Sequence, residues 1–302
     1  MVTTQEATTA TTVDTTLVMD YTTINREREF HNEETCTYWL PKDEEEQQRL
    51  TGQHFALKEL FEGNLSRSVQ RNLDFEKGIS VLDVGCGPGA WIMDMTQDYP
   101  NCTYHGCDIV DVTNKNLKID QFTFNFGNVI QGLPYEDNTF DFVQMRLFTA
   151  ALRKEEWPIA LKEIIRLTKP GGMIQLMEPD FRLSEDDSSA YNKFIKALDS
   201  VCTSKGQDLH ITYQLEKLLL ETNLIKVTEQ DTRHCNLNSN TATTKKFAWD
   251  FVELAKGTIS GIKPLMGINS EEDISKFLNE LKHCLIHTDI HLYVNRISVQ
   301  KL

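Results

Sequence analysis

The chain has 302 residues, 40% apolar and 25% charged, a globular balance with room for one large domain. A formal charge of -14 without a long Lys/Arg cluster argues against a surface built for nucleic acid or anionic membrane, and leaves open a small cationic ligand or a protein partner. Seven cysteines, an odd number without a repeated spacing, point to free thiols in a reducing compartment, cytoplasmic or nuclear.

Residues 1–30 open with "MVTTQEATTATTVDTTLVMD" and read as a threonine-rich disordered tail. The stretch lacks the basic start and apolar core of a secretory signal, and its first basic residue is Arg26. No apolar run in the chain is long enough to span a bilayer. Residues 31–78 are expected to form a helical lid segment. In "YWLPKDEEEQQRLTGQHFALKELF", Asp43 and Glu46 have N-cap and N3 spacing, and Leu50, His54, Leu57 and Phe61 share one stripe. His54 inside that stripe is either a core histidine with a backbone partner or a lid histidine facing a ligand.

From residue 79 to 180 strand and helix signals alternate. "ISVLDV", "TYHGCDIV", "FTFNFGNV", "FDFVQM" and "MIQLMEPD" are strands, separated by the helices "AWIMDMTQDYP" and "EEWPIALKEIIRLTKPGG". The alternation predicts a parallel sheet with helices on both faces, an α/β fold. Cys102, His105 and Cys107 in "CTYHGC" supply too few ligands to close a metal site. Residues 181–302 read as a helical cover plus two more strands of the same sheet. "LIKVTEQDTRHCNL" and "HLYVNRISVQKL" carry the strand signals, and a helical insertion lies between them.

"VLDVGCGPGA" puts Gly85, Gly87 and Gly89 directly after a strand, a pattern that also fits a dinucleotide turn through Ala90. Two acids separate the readings. Asp83, just before the turn, would repel a pyrophosphate in a partly desolvated site and welcome an ammonium or sulfonium, both present in S-adenosylmethionine. Asp108 ends the second strand, nineteen residues after Gly89, where such sites place a ribose-binding carboxylate. At the next strand tip, Asn128 is expected to accept from an adenine amino group and the Val129 amide to donate to a ring nitrogen. A nicotinamide-dependent oxidoreductase is the weaker alternative, opposed by Asp83.

"VLDVGCGPG", the Asp108 strand end, "GNVIQGLPYEDNTFDFV" and "RLTKPGG" together resemble the successive motifs of class I S-adenosylmethionine-dependent methyltransferases. The pattern Y-x-L-P-x-D-x-x-E-x-x-R-L-x-x-Q-H from Tyr38 to His54, with Trp91 and Arg146, is similar to a fungal group that includes regulators of secondary metabolism. The resemblance implies a Rossmann-like seven-stranded sheet with an antiparallel last strand, an N-terminal lid helix and a helical insertion before that strand. It implies S-adenosyl-L-methionine as cofactor, with Asp83, Gly85, Gly87 and Gly89 around the methionine moiety, Cys86 and Ile109 beside them, Asp108 on the ribose and Asn128 and Val129 by the adenine. Tyr38, His54 and Arg146 complete the implied set. Many family members carry Asp where this chain has Asn128.

Methyl transfer is then expected to an unidentified acceptor, most simply a small molecule; a cofactor-binding regulator acting through protein partners is the alternative. Glu178, Asp180, His54 and His210 are candidates for a general base, Glu178 equally for a structural acid. Residues 181–290 are expected to line the acceptor pocket, although Phe181, Tyr191, Phe247, Trp249 and Phe251 have the spacing of plain core.

Overall fold

Helix and strand follow one another through a computed structural model that describes residues 28–30, 37–113 and 120–302. The strands are Ser80–Val84 (β1), Thr103–Asp108 (β2), Phe122–Phe126 (β3), Phe140–Arg146 (β4), Thr168–Asp180 (β5), Ile225–Asn236 (β6) and His291–Lys301 (β7). Among the described residues they form one seven-stranded sheet in the order β3-β2-β1-β4-β5-β7-β6. β7 runs antiparallel to both its neighbours and the other pairings are parallel. The strand order reverses between β1 and β4, which opens a crevice beyond their carboxyl ends, the usual ligand position in such sheets.

The central strands are apolar because both faces are covered. Leu82, Val143, Ile174 and Ile297 pack under Trp157–Leu167 (α4) and Leu215–Leu220 (α6). Val81, Phe142 and Met173 face Ala90–Asp98 (α3) and Arg67–Asn72 (α2) on the other side. A third core joins Glu44–Leu60 (α1), Ala190–Ser204 (α5), Ala242–Met266 (α7) and Glu271–His287 (α8) to Met177, Leu292 and Val294. Helices α7 and α8 are the insertion between β6 and β7. No helix among the described residues is long and apolar enough to cross a membrane.

Two boundaries differ from expectation. The expected tail falls on residues 1–27, which lie outside the described residues, but residues 28–30 are held: Arg28 Nε donates to Asp43 Oδ2 at 2.6 Å and Phe30 bridges to Pro41. The helix before the fifth strand ends at Leu167, not at the glycines, because Thr168 already pairs with Phe140 in a bulged ladder. At the start of α1, Asp43 accepts from the Glu46 N–H as anticipated, while the Glu46 carboxylate turns to Arg49.

Candidate cofactor cleft

The glycine turn is shaped by its neighbours on β2. The N–H groups of Gly85 and Cys86 donate to the Cys107 carbonyl at 2.8 and 3.1 Å, and the Gly87 N–H donates to Asp108 Oδ2 at 2.9 Å. Gly85, Gly87 and Gly89 have φ of 65°, 51° and 78°, a region costly for other residues. A Cβ on Gly85 would also stand 2.4 Å from the Phe148 ring, whereas one on Gly87 would meet only Leu50 at 3.8 Å. Gly87 therefore leaves its space to the cleft.

That cleft has a volume of about 1270 Å³, mouth included. Its floor is the glycine turn, and its sides are the tips of β2, β3 and β4. Its roof is the strap Thr37–Lys42 with the inner face of α1. Tyr38, His54, Gly85, Cys86, Gly87, Asp108, Ile109, Asn128, Val129 and Arg146 all lie on the wall. Gly89 does not: it caps α3 in the left-handed conformation. Asp83 also lies behind the wall, buried beneath the turn, so the expectation that it faces the cleft is replaced by a carboxylate at the base of the floor. Its Oδ1 has no hydrogen-bond partner. Burial, with help from Asp108 and against Arg146, pushes Asp83 up to about 7.

Asp108 keeps acceptor capacity after the Gly87 bond, since its other oxygen has only the Val110 N–H at 3.4 Å. Asn128 is less free than anticipated. Its Oδ1 accepts from the Ile130 N–H at 3.2 Å in an Asx turn, so the side chain turns its oxygen to its own loop and leaves its NH2 as the donor.

His54 resolves the earlier alternative in an unforeseen way. It is buried and on the wall, with side-chain partners instead of a backbone one: Nε2 is 3.2 Å from Asp94 Oδ2 and Nδ1 is 3.2 Å from Arg146 Nη1. Asp94 also accepts from Lys58 Nζ and Asn64 Nδ2, both at 2.7 Å, which pins α1 to α3. A second buried cluster pins α1 to α7, with Arg49 between Glu46 and Asp250.

The other base candidates are not at the cleft wall. Glu178 accepts from the Phe148 and Thr149 N–H groups and the Thr149 hydroxyl at 2.6–2.9 Å, so it holds the loop after β4 as a structural acid. Asp180 is paired with Arg182 and accepts from the Tyr213 hydroxyl, and His210 is exposed elsewhere. No wall residue comes from 181–290. Tyr191, Phe247 and Phe251 fill the helical core, Phe181 packs against it, and Trp249 covers Gly52, where a Cβ would approach its ring to 2.5 Å. Trp91 is likewise core. Sequence reasoning missed Lys42, Glu46, Gln47 and Phe148 on the wall. The three on the lid lay in a stretch read for its helix start and its apolar stripe, not for polar groups facing a cleft.

On the wall, the spare Asp108 acceptors and the Arg146 donors suit the ribose and carboxylate of S-adenosylmethionine, and buried Asp83 places an acid beneath the floor. Residues 81–172 match the family model described as methyltransferase domain. A secondary metabolism regulator, laeA, of Coprinopsis cinerea is 31% identical over 160 residues, 52% of this chain and 39% of that protein. A demethylmenaquinone methyltransferase of Staphylococcus carnosus is 29% identical over 154 residues, 47% of this chain and 61% of that protein. The chain thus spans less than two thirds of either relative. Among solved structures, a candidate sarcosine dimethylglycine methyltransferase from Galdieria sulphuraria superposes with a TM-score of 0.50 at 16% identity, covering 83% of this chain and 86% of the other. The MccD protein gives the same TM-score and identity over 78% and 94%. Sheet order and glycine turn agree with the family match: residues 81–172 are similar to a methyltransferase domain, and the sheet has the class I methyltransferase fold.

Proposed function

We propose that this chain binds S-adenosylmethionine in the cleft between the glycine turn and α1, and directs its methyl group to a small-molecule acceptor. The observation that carries the reading is the presence of Asp108 and Arg146 on the wall of one cleft, floored by the glycine turn and roofed by the strap and α1. When bound, the cofactor would supply a methyl carbon activated by its sulfonium, open to in-line attack by an acceptor lone pair with the thioether as leaving group. The protein's part is positional. Asp108 takes the ribose hydroxyls and Arg146 the carboxylate, Asp83 adds negative charge beneath the floor, while Tyr38 and α1 exclude water.

A regulatory reading stays beside it for one specific reason. None of the anticipated bases is free on the wall: both His54 nitrogens are engaged, and Glu178 and Asp180 lie off the wall with partners of their own. One relative carries a regulator's name. Formation of S-adenosylhomocysteine with a host metabolite extract separates the two, since a protein acting only through partners would form none.

Calorimetric titration with S-adenosylmethionine, S-adenosylhomocysteine and NAD tests the cofactor directly. The first two are expected to bind and NAD is not. Asp108→Ala should weaken binding by about 1–3 kcal/mol through lost charged hydrogen bonds. Unchanged affinity in that variant would remove Asp108 from the site.

A further inference from the structure

The imidazole of His54 has no nitrogen left for a substrate. A guanidinium only donates, so Nδ1 accepts from Arg146 and the ring proton sits on Nε2, donated to Asp94. Lys58 and Asn64 complete the acceptor shell of Asp94, which fixes the ring in one orientation. Burial first, then the charge of Arg146, hold His54 down to about 3 against the pull of Asp94, so the ring stays neutral.

Arg146 is the other half of this arrangement. It ends β4 on the cleft wall, and His54 is the group it hydrogen-bonds among the described residues. Most of its five N–H donors are thus unspent in a desolvated place. Asp83, with its unpartnered Oδ1, is within its electrostatic reach. A guanidinium with unspent donors on a cleft wall is the complement of a carboxylate.

We propose that His54 is a positioning residue: through Nδ1 it aims Arg146 at the α-carboxylate of the cofactor's aminoacyl end, so that the seating of α1 and the recognition of that carboxylate are one event. The proposal rests on the reading of the cleft as an S-adenosylmethionine site. It departs from the expectation of His54 as a base or a direct contact. A histidine that only packed the lid would affect every ligand of the cleft alike; one that aims Arg146 affects only ligands that carry the carboxylate.

The test is titration of the full chain and its variants with S-adenosylmethionine and with its decarboxylated form, which keeps the ammonium and sulfonium. The wild-type chain is expected to prefer the carboxylate-bearing ligand by ~10–100-fold, the worth of one charge-assisted pair. Arg146→Met should abolish the preference. His54→Ala should lose most of it, with the weakening confined to S-adenosylmethionine. His54→Gln, whose amide oxygen can accept from Arg146 while its NH2 donates to Asp94, should retain it. Equal weakening of both ligands in His54→Ala would make the histidine merely structural and overturn the proposal, as would a wild-type preference that persists in Arg146→Met. Circular dichroism and thermal unfolding check that each variant is folded; if His54→Ala is not, the Gln and Met variants decide. Failure of the wild-type chain to bind S-adenosylmethionine at all would instead sink the underlying reading of the cleft.

Discussion

Asp83 shows what burying a single carboxyl costs the folded state. Its carboxyl is 2% exposed, one oxygen is unpaired, and burial raises it from 3.8 to about 7. A carboxyl held above its ordinary value keeps its proton more tightly folded than unfolded. The folded state therefore loses stability as the pH rises from about 4 to about 7. Glu178, raised from 4.5 to about 7 by burial despite its three donors, acts in the same direction. Asp94 is lowered, with burial outweighed by Lys58 and Asn64, so its contribution disappears only on acidification through its own low range. Asp83→Asn should raise the ligand-free unfolding midpoint at pH 8 by several degrees, the bound being about 4 kcal/mol. Below pH 4 the gain should vanish, and at every pH the cofactor should bind more weakly. A differential scanning fluorimetry series across pH 4–8 reads this, and an unchanged midpoint at pH 8 would show that the charge is already compensated. Most of the floor was legible at this scale, because a strand end, a glycine turn and Asp108 are set by spacings of a few residues. Asn128 was legible as a site residue but not in its bonding, since its oxygen serves a turn two residues on.

At the scale of elements, the roof is assembled from segments with very different anchoring. Helix α1 is fixed by buried ion clusters, Arg49 to Asp250 and Lys58 to Asp94. The strap before it is held by neutral hydrogen bonds, several of them gathered on one side chain. Gln207, buried, donates from Nε2 to the Thr37 carbonyl at 3.1 Å and the Ala150 carbonyl at 2.7 Å, and its Oε1 accepts from the Trp39 indole at 3.1 Å. Neutral bonds contribute less than charged ones, so the strap should open before the helix does. In Gln207→Ala, amide exchange over residues 37–42 should accelerate by ~10-fold, about 1–2 kcal/mol of local opening, while α7 keeps its protection. Hydrogen-exchange mass spectrometry checks this, and uniform acceleration would mean a global destabilisation instead. The sequence announced α1 through Asp43 and its apolar stripe. It could not announce Gln207, whose partner Thr37 is 170 residues away and whose type has no periodic signature.

For the whole molecule, the alternation of strands and helices was enough to anticipate the sheet, and the two late strand signals placed the insertion between β6 and β7. What stayed hidden was how the cover packs. Its aromatics close a core of their own with α1 and leave the cleft to the sheet and the lid. Spacing along a helix marks an apolar face but not the element it meets. The described cleft wall begins at Thr37. Deleting residues 1–20 should accordingly leave S-adenosylmethionine affinity within about twofold by calorimetry, and a large loss would bring that segment into the site.

The position of β7 also sets an order of events during synthesis. It lies between β5 and β6 in the sheet yet follows both in the chain, with α7 and α8 made before it. Until residues 291–301 leave the ribosome, β5 presents an unpaired edge and β6 has no strand to pair with. The nascent chain must carry both in that state while twenty-five- and seventeen-residue helices form beside them. The strand order thus puts a long-range closing step at the end of synthesis, the kind of step that slows folding and exposes strand edges.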